Sequence, residues 1–163
     1  MANPKFIKNI QQGLLDRLID EEPLNRQEAP MSRAESLRQF RLAVKRDLEW
    51  LLNTTRMPIE VPEACAEEIH KSVLFFGLPD IASISLQNPG DEQRLLRSLE
   101  QSIETFEPRL ARPRVTSRDP YKSTQQAITF HVEAMLMIDP APERISFDTV
   151  LEITKGAYSV KET

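Results

Sequence analysis

Ile128-Thr129-Phe130-His131-Val132-Glu133-Ala134-Met135-Leu136-Met137-Ile138 decides the fold class. Apolar side chains stand at every second position, Ile128, Phe130, Val132, Ala134, Leu136 and Ile138, with Thr129, His131 and Glu133 between them. A period of two predicts a strand with one face in a core and the other at least partly wet. Working outward, Asp139-Pro140-Ala141-Pro142 turns the chain, and Ile145, Phe147, Leu151 and Ile153 alternate on the next strand. On the other side, residues 110 to 118 form a polar strand after which Asp119-Pro120 turns. Pro113 cannot donate to a ladder, so this strand is expected at an edge or with a bulge.

Nearer the start the period becomes helical. Leu95, Leu96, Leu99, Ile103 and Phe106 share one face, Asn88-Pro89-Gly90-Asp91 is a start signal, and Pro108 ends the helix at about Phe106. Leu37, Phe40, Val44, Leu48 and Leu51 mark a second stripe, with Arg38, Arg41 and Lys45 on another face. Ser32 and Glu35 have the spacing of a capping box, and the helix should end near Asn53. Phe6, Ile10, Leu14, Leu15, Leu18 and Ile19 predict an amphipathic helix over about 5 to 20, with a polar linker from Glu21 to Met31. A short helix is expected from Glu63 to Ser72. The four apolar residues Val73-Leu74-Phe75-Phe76 after it suggest full burial. Helices followed by strands give an α+β fold, N-terminal helices packed on a C-terminal antiparallel β-meander. One domain is expected over residues 1–163, with 1–31 an N-terminal helix and linker.

Composition narrows the function. The chain has 163 residues, 40% hydrophobic and 28% charged, as in globular proteins. A net charge of −4 gives no overall attraction to nucleic acid or to an anionic membrane. Four glycines are too few and too scattered for a phosphate-cradling loop. Cys65 is the single cysteine, which suits a reducing compartment. The opening residues hold no apolar stretch of secretory length, and no run approaches the ~20 residues of a membrane span. The cytoplasm is the expected location.

Catalytic signatures fail in turn. No G-x-S-x-G elbow is present, and Cys65 and His70 lie five positions apart, on separate helix faces, so a buried inert thiol is expected. Two histidines and one cysteine are poor material for a metal site. No cofactor, metal or catalytic residue is expected. Glu133 is one conceivable acid for glycoside cleavage, but nothing marks a second carboxylate or a sugar platform. Arg109, Arg112, Arg114 and Arg118, with Lys122, make the most basic stretch; it lacks interleaved aromatics for nucleic acid, leaving a charged edge that resists aggregation or a docking surface. Glu107-Pro108-Arg109 stands out, because proline stiffens the corner from which two charged side chains project. From these residues alone, a local salt bridge at the helix–strand junction is favoured over a pair presented to another subunit.

Several blocks also follow a recognisable order. They are Leu14-Leu15-Asp16-Arg17-Leu18, Arg46-Asp47-Leu48-Glu49-Trp50-Leu51-Leu52-Asn53-Thr54, Ser72-Val73-Leu74-Phe75-Phe76-Gly77-Leu78-Pro79-Asp80, and Ile103-Glu104-Thr105-Phe106-Glu107-Pro108-Arg109-Leu110. Phe130, Pro140 and Phe147-Asp148-Thr149 complete the set. In these blocks the chain resembles the TssE family, small baseplate subunits of type VI secretion systems related to the wedge proteins of contractile phage tails. The resemblance implies the contractile phage baseplate wedge fold, similar to the interlocking domain of the sheath subunit. It also implies a structural role, joining the wedge complex and seeding the contractile sheath. Implied partners are TssF and TssG, with TssK in the assembled baseplate docked at the inner-membrane complex, and the sheath subunits TssB and TssC. In the family the Glu-Pro-Arg motif contacts the helical core bundle of the wedge, which carries over to Glu107, Pro108 and Arg109 and overturns the local reading above. Some phage relatives carry a lysozyme label, which this chain offers no constellation to support. A peptidoglycan hydrolase and a regulatory adaptor on the same fold are the rival readings. An open sheet edge could take up a partner strand, either near Ala157 to Val160 or on the strand with Arg112 and Arg114.

Overall fold

The core lies between two helices and one face of a four-stranded sheet. In the computed structural model, the described residues are 10, 12–19, 31–80, 89–118, 127–152 and 156–162. Helices α1 (Leu14–Leu18), α2 (Arg33–Asn53), α3 (Ala66–His70) and α4 (Pro89–Phe106) precede strands β1 (Leu110–Ser117), β2 (Ala127–Leu136), β3 (Glu143–Glu152) and β4 (Ala157–Glu162). The strands pair antiparallel in chain order, a plain meander. Helix α4 packs on β1 and α2 packs on β4.

The alternation in β2 sets this arrangement. Ile128, Phe130, Val132, Ala134 and Leu136 are all buried, as their parity requires, and Ile138, just past the end of the strand, is buried too. Phe40, Val44, Leu48, Leu51 and Leu52 of α2, with Leu95, Leu99 and Ile103 of α4, fill the space above them. Pro113 has the setting expected of it. Strand β1 is an edge, its register shifts between Ala111 and Arg114, and Arg112 takes a left-handed φ of 53°. Half of the expected capping box forms at the start of α2, the Ser32 Oγ accepting from Glu35 N–H at 3.2 Å. The Glu35 carboxylate is taken up by Arg38 at 2.6 Å.

The first helix is shorter than its apolar pattern suggests. Ile10, Gln12 and Gly13 are not helical, and Gly13 is extended at ψ 158° before α1 begins. The remaining residues of the expected first helix, and the linker up to Pro30, lie outside the described residues. So do Asn88, the Asp119-Pro120 turn, Lys122 and Ile153. The expected helix from Glu63 to Ser72 is split into a 3-10 turn, Glu63–Cys65, and α3.

The Val73–Phe76 run is not fully buried. Val73 is 82% and Leu74 55% exposed, whereas Phe75 and Leu78 are buried. A 3-10 turn over Val73–Phe75 rotates the first two side chains outward. Gly77 explains how the segment is pinned. At φ +105° its position for a Cβ would lie 2.2 Å from the Thr54 carbonyl oxygen, so the backbone can approach the end of α2 only without a side chain. Leu78 N–H then donates to Thr54 O at 2.8 Å, Arg56 N–H to Leu78 O at 2.8 Å, and Ser102 Oγ to Gly77 O at 3.2 Å.

Candidate functional site

Glu107, Pro108 and Arg109 lie where α4 gives way to β1. Glu107 N–H still bonds the Ile103 carbonyl, and Leu110 N–H closes a turn onto Glu107 O. Met137 N–H donates to Arg109 O at 2.8 Å, which stitches the corner to the chain just beyond β2. Glu107 does not project. It is 3% exposed, because its carboxylate folds back and accepts from the Arg109 N–H at 3.2 Å, from Arg109 Nε at 2.6 Å and from Arg109 Nη2.

Arg109 is also held from α2. Its Nη2 donates to Asp47 Oδ2 at 2.7 Å, and its guanidinium lies 5.8 Å from the Phe40 ring centre. Asp47 Oδ1 accepts from Arg46, and Arg46 reaches Asp16 of α1 at 2.8 Å. The network Asp16–Arg46–Asp47–Arg109–Glu107 thus ties α1, α2 and the corner together. Burial works against the Arg109 charge, but hydrogen bonds to Glu107 and Asp47 outweigh it and raise its pKa above the ordinary arginine range. The local salt bridge is real. Pro108 remains exposed and Arg109 half-buried, so part of the corner faces outward.

Arg112 and Arg114 stand exposed on the bulged edge strand. With Arg41, Glu133, Met135, Arg144, Ser146 and Glu162 they line a groove of about 320 Å³. Arg41 is neutralised there by Glu143 at 2.9 Å and Glu162 at 3.3 Å. Arg144 belongs to this group although sequence reading missed it. Only the register, which sets Met135 opposite Arg144 and Arg114 opposite Glu133, brings these residues together.

A second cluster was also missed. On the outer face of the sheet His131 Nδ1 lies 2.7 Å from Asp148 Oδ1, and Arg118 donates to Asp148 Oδ2 at 2.6 Å. The parity of β2 places His131 on that face, but Asp148 comes from β3 and needs the register to find. Glu133 is 65% exposed beside it, the reverse of the shielded setting that a general acid requires. Cys65 is half-buried rather than buried, with its Sγ 3.8 Å from the Pro62 carbonyl. Among the described residues no group of histidine, cysteine and carboxylates could hold a metal ion. Among them no helix is long and apolar enough to cross a membrane.

A family model described as baseplate wedge protein gp25 matches residues 38–141, more than half of the chain. The chain belongs to that family. No curated protein and no solved structure matches it. The gp25 span runs from within α2 to the turn after β2 and includes the Gly77 joint, the Glu107–Arg109 corner and the β1 bulge. Baseplate wedge proteins of the gp25 family are structural components, and the α+β arrangement of helices on a meander fits their fold.

Proposed function

We propose that this gp25-family chain is the TssE subunit of a type VI secretion baseplate, a cytoplasmic structural part that joins the wedge and seeds the contractile sheath. The family match over residues 38–141 carries this reading. The ordered blocks from Leu14 to Thr149 favour the secretion branch of the family over the phage branch. On this proposal the chain acts as a single wedge domain, with residues 1–31 as its N-terminal helix and linker.

TssF and TssG are the proposed wedge neighbours, meeting Pro108 and the outward part of Arg109, with TssK joining in the assembled baseplate at the inner-membrane complex. Glu107 acts behind that surface, setting the Arg109 guanidinium through its two-point contact. Arg112 and Arg114 supply a cationic edge beside the corner for an acidic partner surface. The left-handed Arg112 supports this role, because a backbone conformation unfavourable for arginine persists where the surroundings demand it. The sheath subunits TssB and TssC are proposed to add at the sheet edge.

Sheath assembly in cells tests this function. Cells lacking the chain should form no fluorescent TssB–TssC sheaths, and wild-type protein should restore them, whereas Arg112→Glu/Arg114→Glu protein should not. Sheaths that form at normal frequency without the chain would contradict the proposal.

A further inference from the structure

The two outer edges of the sheet are where another strand would add, yet both are engaged from within the chain. In an antiparallel ladder alternate residues turn their peptide groups away from the neighbouring strand. On β4 these are Tyr158 and Val160, because each donates its N–H to a side chain of α2. The Asn53 carboxamide accepts from Tyr158 N–H at 2.8 Å and donates to Tyr158 C=O at 2.8 Å. One turn earlier, Glu49 Oε1 accepts from Val160 N–H at 3.4 Å. Asn53 therefore makes the paired contact that a residue of an adjoining strand would make, and occupies its place.

Strand β1 is closed by other means. Its bulge disrupts the register, Pro113 has no N–H, and Glu100 of α4 accepts from Val115 N–H at 2.8 Å. A bulge and a proline are permanent features of the backbone. The guard on β4 consists of side chains, and Asn53 is an exposed residue at the very end of α2. A rotation of that side chain would uncover Tyr158, and an arriving strand would return one donor and one acceptor for those lost.

We propose that the last turn of α2 is a latch on the β4 edge. Asn53 and Glu49 keep free copies of the chain from pairing edge to edge, and a partner's strand must displace Asn53 from Tyr158 to join the sheet. The second half rests on the proposed addition of sheath subunits at the sheet edge and assigns that addition to β4; the first concerns the free chain alone.

Amide hydrogen exchange on the full-length chain tests the latch. Tyr158 N–H should be protected in the wild type although it lies on an edge, and Asn53→Ala should speed its exchange about tenfold or more. Ser159, whose N–H faces β3, should keep its protection. Asn53→Asp retains the acceptor and should protect Tyr158 better than alanine does. The Glu49→Ala/Asn53→Ala chain should self-associate in sedimentation at a concentration where the wild type is monomeric. Unchanged exchange at Tyr158, equal loss at Ser159, or a double variant that stays monomeric would overturn the latch. Capture of TssB–TssC is measured separately. An opened latch that leaves capture unchanged would retain the guard on self-pairing and overturn the strand-displacement half.

Discussion

Arg109 reaches Asp47 at 2.7 Å across 62 residues of sequence, and that contact joins the helix–strand corner to the middle of α2. Arg109 also covers the buried Glu107. The corner therefore supports the fold of the isolated chain and shapes a surface at the same time. Any substitution in it must be read on both counts.

Arg109→Ala should lower the unfolding free energy by about 3 kcal/mol, because it strands a buried carboxylate. Marginal domains hold about 5–15 kcal/mol, so the variant should remain folded at room temperature. Adding Glu107→Ala should recover part of the loss by removing the stranded charge. Urea unfolding of both single variants and the double gives the coupling. Simple additivity of the two losses would contradict the network.

Gly77→Ala should be the most damaging small substitution. The added carbon would meet the Thr54 carbonyl at 2.2 Å, and the φ of +105° strains any L side chain. A loss of about 3 kcal/mol or more is expected, read as a lower midpoint in thermal unfolding.

Tyr158 gives a pH signature. Burial pushes its phenol up to about 12 from an ordinary value of 10.0, and its buried hydroxyl has no hydrogen-bond partner among the described residues. The folded chain thus retains a proton that the unfolded chain loses. Stability from this group is complete below pH 10 and falls as pH rises towards 12, by up to about 3 kcal/mol. Tyr158→Phe should remove that part of the alkaline slope while leaving stability at pH 7 equal or slightly higher. Chemical unfolding at about pH 8, about pH 10 and about pH 11.5, compared between the two chains, measures the difference.

Arg112→Gly separates fold from docking at the edge. Glycine accepts the left-handed φ of 53° freely, so stability should stay level or rise by about 1 kcal/mol. Loss of the cation should nonetheless weaken sheath assembly in cells. A fall in stability would show that the arginine side chain, and not its charge towards a partner, holds the bulge.

The meander was legible because its evidence is local. Parity in Ile128–Ile138 fixed the buried face of β2, and Pro113 announced an edge or a bulge, of which β1 has both. The Glu107-Pro108-Arg109 corner could be singled out, but its burial could not, since Asp47 and Phe40 come from a distant helix. Asn53 and Tyr158 are 105 residues apart and carry no shared pattern, so the capped edge of β4 was illegible. The Val73-Leu74 pair misled because four apolar residues in a row imply burial only if the backbone stays extended. A 3-10 turn instead turned two of them to solvent. The removal of all residues after Thr154, an obvious test of the β4 edge, would also remove the buried Tyr158 and Val160 and so unfold the core.

The most direct measurement is co-purification of the wild-type chain with TssF and TssG expressed in the same cells. A single stable complex containing all three is predicted, weakened when Arg109 is replaced by alanine in a chain verified to be folded. Elution of the wild-type chain on its own, with TssF and TssG assembled without it, would contradict the account.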